Sequence, residues 1–483
     1  MQILSPSKFC FSIPDILSFF ILKVNNYRLK CYNEGMEIRE QYPEFIFESY
    51  KVERTATNLH VSYVYTLGEH RFEPFFDIPF SSIRNEFINE EFLDALCFNF
   101  GIINAINYYK LSLAPTFTIK CGELDDMQKA FFKKLFFNGL GELMFVNNLQ
   151  IPFDSFMAIN APTPAEKKQF YFDDVFHGNL IPVGGGKDSV VTLEALRGWR
   201  EDNLCLQYNR NLYPENRAAI DCIRLAGYSM EKTCNFNLTL DQHMLELNKQ
   251  GFYNGHIPFS SCLAFASFII AYLNNKANIV LSNEASANEG NVKGTNINHQ
   301  YSKSIEFEND FRSYTATYLC DKIQYFSLLR CMNEYQIVKK FIKFPSYLSV
   351  FRSCNVGTKS NSWCGHCAKC LYVYIMLYPF VDHEQLVEIF GHDLYNDQTL
   401  GGLFNGLINP DATKPFECVG TREEINYAVK LAIEQSKEKQ LPVLLEWYRT
   451  SYNYNPTEQF GVEEYYNAEH NIPEAYLKAL QSL

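Results

Sequence analysis

Hydrophobic and polar positions first settle into a readable pattern near residue 43. Phe45-Ile46-Phe47, Leu59-His60-Val61-Ser62-Tyr63-Val64-Tyr65 and Phe72-Glu73-Pro74-Phe75-Phe76-Asp77-Ile78 alternate or run aromatic, with turn residues between them. Each run reads as a strand. The spacing then lengthens to a helical one over 91–113 and 126–145. Together these segments predict a small α+β domain over 36–165, and no catalytic constellation stands out in it.

From about residue 170 the two patterns alternate. Residues 180–183, 204–208, 231–238 and 277–281 read as strands, and 188–200, 214–226 and 260–274 as helices. Such alternation predicts a parallel sheet with covering helices, here over 166–380. In open α/β sheets ligands sit at the carboxyl ends of the strands. The turn after 183, Asn209, and Ser282-Asn283-Glu284 all fall there. Residues 381–483 are charged and mostly helical, with Thr421 placed to cap a helix over 422–436. No internal repeat or long low-complexity tract interrupts the chain.

A length of 483 residues fits two to three domains, and 41 Phe with 31 Tyr point to aromatic cores. The net charge of −12 argues against a general nucleic-acid binder. The 15 cysteines are scattered except for one cluster, as expected of thiols in a reducing compartment, hence a cytoplasmic chain. The apolar stretch 9–22 is broken by Pro14 and Asp15 and is followed by Lys23-Val24-Asn25-Asn26. It suits neither a cleaved signal nor a spanning helix, and no membrane segment is expected. Residues 1–35 read as an extension or an upstream mis-start.

Chemistry concentrates in four places. Ile181-Pro182-Val183-Gly184-Gly185-Gly186-Lys187-Asp188-Ser189 lies between an apolar strand and a helix start. Glycines let the backbone approach a ligand, and free N–H groups at a helix N-terminus point at an anion. Asp188 and Ser189 sit where a cap belongs, and Lys187 offers either a phosphate contact or a loop charge. The pattern matches neither the Walker nor the dinucleotide fingerprint. The second place is the polar stretch Asn283-Glu284-Ala285-Ser286-Ala287-Asn288-Glu289-Gly290-Asn291, continued in Asn298-His299-Gln300-Tyr301-Ser302-Lys303-Ser304. Its amides, hydroxyls and charges suit a substrate rich in polar groups. In the third, Asn254-Gly255-His256-Ile257-Pro258-Phe259, a turn presents His256, and Ser260 or Ser261 can cap the following helix. Last, Cys354 with Cys364, Cys367 and Cys370 supplies four soft ligands for a structural tetrahedral Zn²⁺, with His366 as an alternative.

The glycine loop resembles the phosphate loop of the PP-loop ATP pyrophosphatases. Taken with Asn254–Phe259, Ser282–Ser286, Asn298–Ser304, Trp363–Cys370 and Pro415-Phe416-Glu417-Cys418-Val419-Gly420-Thr421, the chain resembles the UDP-N-acetyl-α-D-muramoyl-L-alanyl-L-glutamate epimerases from about residue 40 onward. The cysteine cluster is also similar to that of the 7-cyano-7-deazaguanine synthases. The resemblance implies a PP-loop α/β core and an ATP- and Mg²⁺-dependent inversion of a terminal L-glutamate for peptidoglycan precursor synthesis. AMP and pyrophosphate would be released through an acyl-adenylate. It implies ATP contacts from Gly184, Gly185, Gly186, Lys187, Asp188, Ser189 and Asn209. Substrate contacts are expected from Asn283, Asn291, Tyr301, Ser302 and Lys303. Cys418, His256, His299 and Glu284 are the candidates for proton transfer. Another adenylating ligase and a non-catalytic nucleotide sensor stay open as alternatives.

Overall fold

A computed structural model describes residues 37–483 apart from 167, 169, 173, 174, 293, 296, 437–439 and 453–460. The stretch 1–35, expected as an extension or mis-start, lies outside the described residues. Among the described residues eleven strands form one sheet. They are β1 (Glu44–Arg54), β2 (Asn58–Leu67), β3 (His70–Phe72), β4 (Phe75–Pro79), β5 (Thr116–Ile119), β6 (Ala158–Asn160), β7 (Asn179–Pro182), β8 (Asn203–Arg210), β9 (Thr233–Thr239), β10 (Asn278–Leu281) and β11 (Gln324–Ser327).

Across the sheet the order is β11-β10-β7-β8-β9-β4-β2-β1-β5-β6, with β3 attached to β2. The run from β11 to β9 is parallel throughout, and its strands alternate in sequence with helices. β4 then joins β9 antiparallel, with Phe75, Phe76 and Asp77 opposite Thr239, Leu238 and Asn237. β2 and β1 continue antiparallel, and β5 and β6 add parallel strands at the far edge. The fold is mixed α/β around a large central sheet that runs without a break from the N-terminal segments into the strands after residue 178.

Aromatic packing explains this continuity. Phe76 of β4 lies 4.5 Å, centroid to centroid, from Phe236 of β9, and Phe236 stacks on Tyr208 of β8 at 5.3 Å. Tyr63 and Tyr65 are fully buried because each hydroxyl has an acceptor, Cys97 O at 3.0 Å and Gly101 O at 2.7 Å. Gly101 sits in the helix Glu90–Asn104 where an added Cβ would stand 2.6 Å from the Phe47 ring. A second buried cluster includes Val190, Phe326, Tyr372 and Ile425. It binds the helices Lys187–Ala195, Ala368–Leu377 and Arg422–Gln435 to the parallel half of the sheet.

Several local expectations change. The run 72–78 is two strands, divided at Pro74, which has no N–H and whose carbonyl instead accepts from Tyr63 N. The expected helix over 91–113 ends at Asn104 and resumes as the short Ile106–Tyr109. Asn209 lies inside β8 instead of following it. All described cysteines are free thiols. No helix among the described residues is long and apolar enough to cross a membrane.

Candidate active site

The glycine loop leaves β7 and turns directly into the helix Lys187–Ala195. Gly185 has φ +83°, and a Cβ there would stand 2.5 Å from Ala219 N, so the loop is wedged against the helix Arg217–Leu225. Asn216 Nδ2 donates to Gly184 O at 3.0 Å, and Arg352 N donates to Gly185 O at 2.9 Å. The N-cap is Gly186, with no side-chain cap. This corrects the placement of Asp188 and Ser189 at the cap. Both lie within the first turn, and Ser189 Oγ accepts from Gly184 N at 3.1 Å, tightening the loop on itself. First-turn N–H groups have no acceptor within their own helix, so those of Lys187, Asp188 and Ser189 are free to bind an anion from outside it.

Lys187 is buried and pairs with Asp188 and with Glu334, the first residue of the helix Glu334–Phe341. Burial alone would lower its pKa, but the two carboxylates raise it, so it carries its charge inside the protein. Carboxylate oxygens of Asp188, Glu284 and Glu334 lie within 4.8 Å of one another, a donor set that suits a hard cation. The Glu334 carboxyl is pushed up, first by burial and then by its acidic neighbours. Behind it Glu424, fully buried, accepts from Glu334 N at 2.5 Å and closes a capping box with Thr421, as the Thr421 cap expectation requires.

A second group surrounds Cys418. Lys303 Nζ is 3.3 Å from its sulfur, Lys369 Nζ donates to its carbonyl, and His299 also acts on the thiol. Burial alone would raise the thiol pKa; Lys303, His299 and Lys369 outweigh it and bring it down to about 5. Burial would lower His299, yet the Cys418 thiol and the paired Glu142 carboxylate lift it to about 9. The His256 ring lies 4.0 Å, centroid to centroid, from that of His299 and is tilted 38° to it. Burial and its cationic neighbours, His299 first, lower it to about 2, so it is neutral. The segment bearing Cys418 is tied to the polar loop by a Lys414–Glu289 ion pair and by Asn291 Nδ2, which donates to Pro415 O at 3.0 Å.

The four proton-transfer candidates therefore divide. Cys418, His299 and His256 form one group, and Glu284 joins the carboxylates beside the glycine loop. Lys303 lies between them, with Cys418, Glu284 and Asp188 all acting on its charge. Of the expected substrate contacts, Asn283 donates to Ser327 Oγ at 3.0 Å. Asn291 Oδ1 accepts from His299 N at 2.8 Å. Tyr301 and Ser302 are buried, and Tyr301 packs against Phe307. Much of the polar loop thus binds itself and holds Lys303 and His299 in place. Asn209 donates to Asn235 and Asn237 on β9. Ser260 and Ser261 do not cap the helix Phe259–Leu273. Its cap is Pro258, and Ser261 Oγ donates back to Pro258 O at 2.6 Å.

The four cysteines converge. Cys354 and Cys367 sulfurs are 3.8 Å apart, while Cys364–Cys370 and Cys367–Cys370 are each 3.6 Å. A tetrahedron of thiolates about Zn²⁺ has edges of about 3.8 Å for Zn–S near 2.3 Å. His366 is exposed and turns its Nδ1 to Cys364 O at 2.8 Å, so the sulfurs alone make the cage.

Glu142, Glu334 and Arg330 escaped the sequence reading. Arg330 is fully buried and donates to Glu284 O at 2.7 Å and to Lys303 O, joining the two groups through their backbones. None of these three lies in a polar run; each is a single charge in an ordinary stretch, brought to the site by distant partners.

Comparison with known proteins agrees with this arrangement. The family described as MurL N-terminal domain matches residues 36–328, and that described as MurL C-terminal domain matches 348–459. A UDP-N-acetyl-alpha-D-muramoyl-L-alanyl-L-glutamate epimerase of Xanthomonas oryzae pv. oryzae is 31% identical over 360 residues, 72% of this chain and 76% of its own. Proteins of the same name from a Micromonospora species and from Salinispora tropica are each 31% identical over 83% of this chain, covering 89% and 87% of their own lengths. With both domains matched in order around the glycine loop and the Cys418 segment, the chain belongs to the MurL family.

Proposed function

We propose that the chain is an ATP-dependent epimerase that inverts the terminal L-glutamate of UDP-N-acetylmuramoyl-L-alanyl-L-glutamate. The observation that supports this reading is the position of Lys303, whose Nζ is 3.3 Å from the Cys418 sulfur and whose charge is also acted on by Glu284 and by Asp188 of the glycine loop. An α-proton beside an ionised carboxylate resists removal, because a second negative charge would form on the adjacent atom. Adenylation of that carboxylate removes its charge and gives the carbanion an acyl sink. The backbone of Gly184–Ser189 would hold the phosphates of ATP as pyrophosphate departs. Asp188, Glu284 and Glu334 would hold Mg²⁺, which neutralises triphosphate charge. The Cys418 thiolate would take the α-proton, with Lys303 beside it stabilising the charge that develops; return of a proton to the other face completes the inversion. Hydrolysis of the adenylate frees AMP and the D-glutamyl product.

The PP-loop core, the structural Zn²⁺ on Cys354, Cys364, Cys367 and Cys370, and a place in the ATP-containing cytoplasm belong to the same proposal. The test is incubation with ATP, Mg²⁺ and the UDP-muramoyl dipeptide in deuterated water. The expected result is AMP, D-glutamate after acid hydrolysis, and deuterium at the glutamate α-carbon. AMP without inversion would replace the reading with an adenylating ligase. ATP binding with no AMP from any muramoyl peptide would replace it with a nucleotide sensor.

A further inference from the structure

The thiol of Cys418 is backed by a row of side chains drawn from three remote parts of the chain. His299 comes from the polar loop after β10, and its Nδ1 pairs with the Glu142 carboxylate in the short helix Gly141–Val146. The side chains of His299 and Glu142 are only 9% and 13% exposed, so water screens this pair little. The helix that carries Glu142 is itself fixed by close contacts. A Cβ on Gly139 would stand 2.4 Å from Pro258, and one on Gly255 would stand 3.1 Å from Leu143. The turn presenting His256 is therefore pressed against the residues flanking Glu142, and the His256 ring packs against His299 at 4.0 Å.

We propose that Glu142 is a positioning residue, locking the His299 ring in the orientation that keeps the Cys418 sulfur in its thiolate form. The order carboxylate, imidazole, thiol is the one that activates a sulfur in general: the acid fixes ring tautomer and orientation, and the ring cation pairs with the thiolate. The charged and titratable groups facing this row are Lys303 from the 301–303 turn, Lys369 from the helix Ala368–Leu377, Glu417 beside Cys418, and His256 with Lys110 behind it. Lys303 contacts the sulfur directly but cannot orient the ring. His256 is neutral and adds no cation. That leaves Glu142 as the anion in contact with His299. The inference rests on the reading of Cys418 as the proton-transfer group and adds the residue that prepares it.

The test separates the two. The full chain is treated with iodoacetamide across pH 4–10, and alkylation of the Cys418 peptide is followed by mass spectrometry. The wild type should show a midpoint below about pH 6.5. Glu142→Gln should raise it by about one pH unit or more, and Glu142→Asp by less. In the deuterium assay Glu142→Gln should lower kcat while leaving KM for ATP unchanged. A wild-type midpoint above about pH 8 overturns the inference without need of any variant. Equal midpoints in wild type and a folded Glu142→Gln also overturn it, even if the wild type epimerises. A raised midpoint with no D-glutamate from the wild type sustains the positioning role while the epimerase reading fails.

Discussion

Lys187 and Glu334, 147 positions apart, form a buried ion pair that anchors the start of the glycine-loop helix to the start of another helix. Asp188 shares the same ammonium. One cation thus neutralises two carboxylates, and the two partners are not equivalent. Lys187→Met strands both acids and should cost about 3–5 kcal/mol of stability in urea denaturation. Glu334→Gln leaves Asp188 on Lys187 and should cost much less, yet AMP release should fall about a hundredfold or more. Equal losses of stability in the two variants would contradict this division.

The loop tolerates no side chain at Gly185. Its φ of +83° and the Cβ position 2.5 Å from Ala219 N combine strain with overlap. Gly185→Ala should destabilise by about 2 kcal/mol and abolish ATP cleavage. Isothermal titration with a non-hydrolysable ATP analogue should show binding lost along with turnover.

Adenylation and proton exchange should come apart at Cys418. Cys418→Ala leaves the loop and the carboxylate group in place, so AMP should still form from the muramoyl dipeptide. Deuterium entry at the α-carbon should fall by about a hundredfold or more. Undiminished deuterium entry would assign the proton to another group.

Glu424 makes stability depend on pH. Burial first, then Glu334, push its carboxyl from 4.5 to about 7. A folded pKa above the unfolded one gives a contribution that is complete below about 4.5 and lost as pH rises through about 7. Against Glu424→Gln, the wild type should therefore lose up to about 3 kcal/mol across that window. Denaturation series at pH 4.5 and pH 7.5 check the sign; a difference that does not grow with pH would refute it.

The sulfur cage should load with metal. Protein prepared in metal-free buffer and given Zn²⁺ should retain about one ion per chain, and Cys367→Ser should retain little. Loss of the metal should lower the thermal midpoint, because binding energy at a structural site is folding energy. No change in midpoint on chelation would contradict a structural ion.

What could be read from the sequence was what is local. The glycine triplet, the Cys364–Cys370 spacing and the Thr421–Glu424 capping pair are each complete within a few residues of sequence. The cap at the glycine loop was misjudged because Asp188 and Ser189 are good capping residues, whereas a glycine with free φ and ψ can serve with no side chain at all. β5 and β11 have four residues and β6 three, too few for a period to declare itself. Glu142 and Glu334 could not be found: their roles come from His299 and Lys187, each well over a hundred positions away. Cys418 stood in a visible segment, but only Lys303 and His299 distinguish it from a thiol buried for packing.

The antiparallel ladder between β4 and β9 has a consequence for how the chain can be cut. If synthesis began near residue 170, β9 would lose its partner and expose a row of unpaired N–H and C=O groups beside uncovered Phe236 and Tyr208 rings. Such an edge is a template for pairing with another chain. The glycine-loop half is therefore not a portable module, and a shortened version should self-associate through β9.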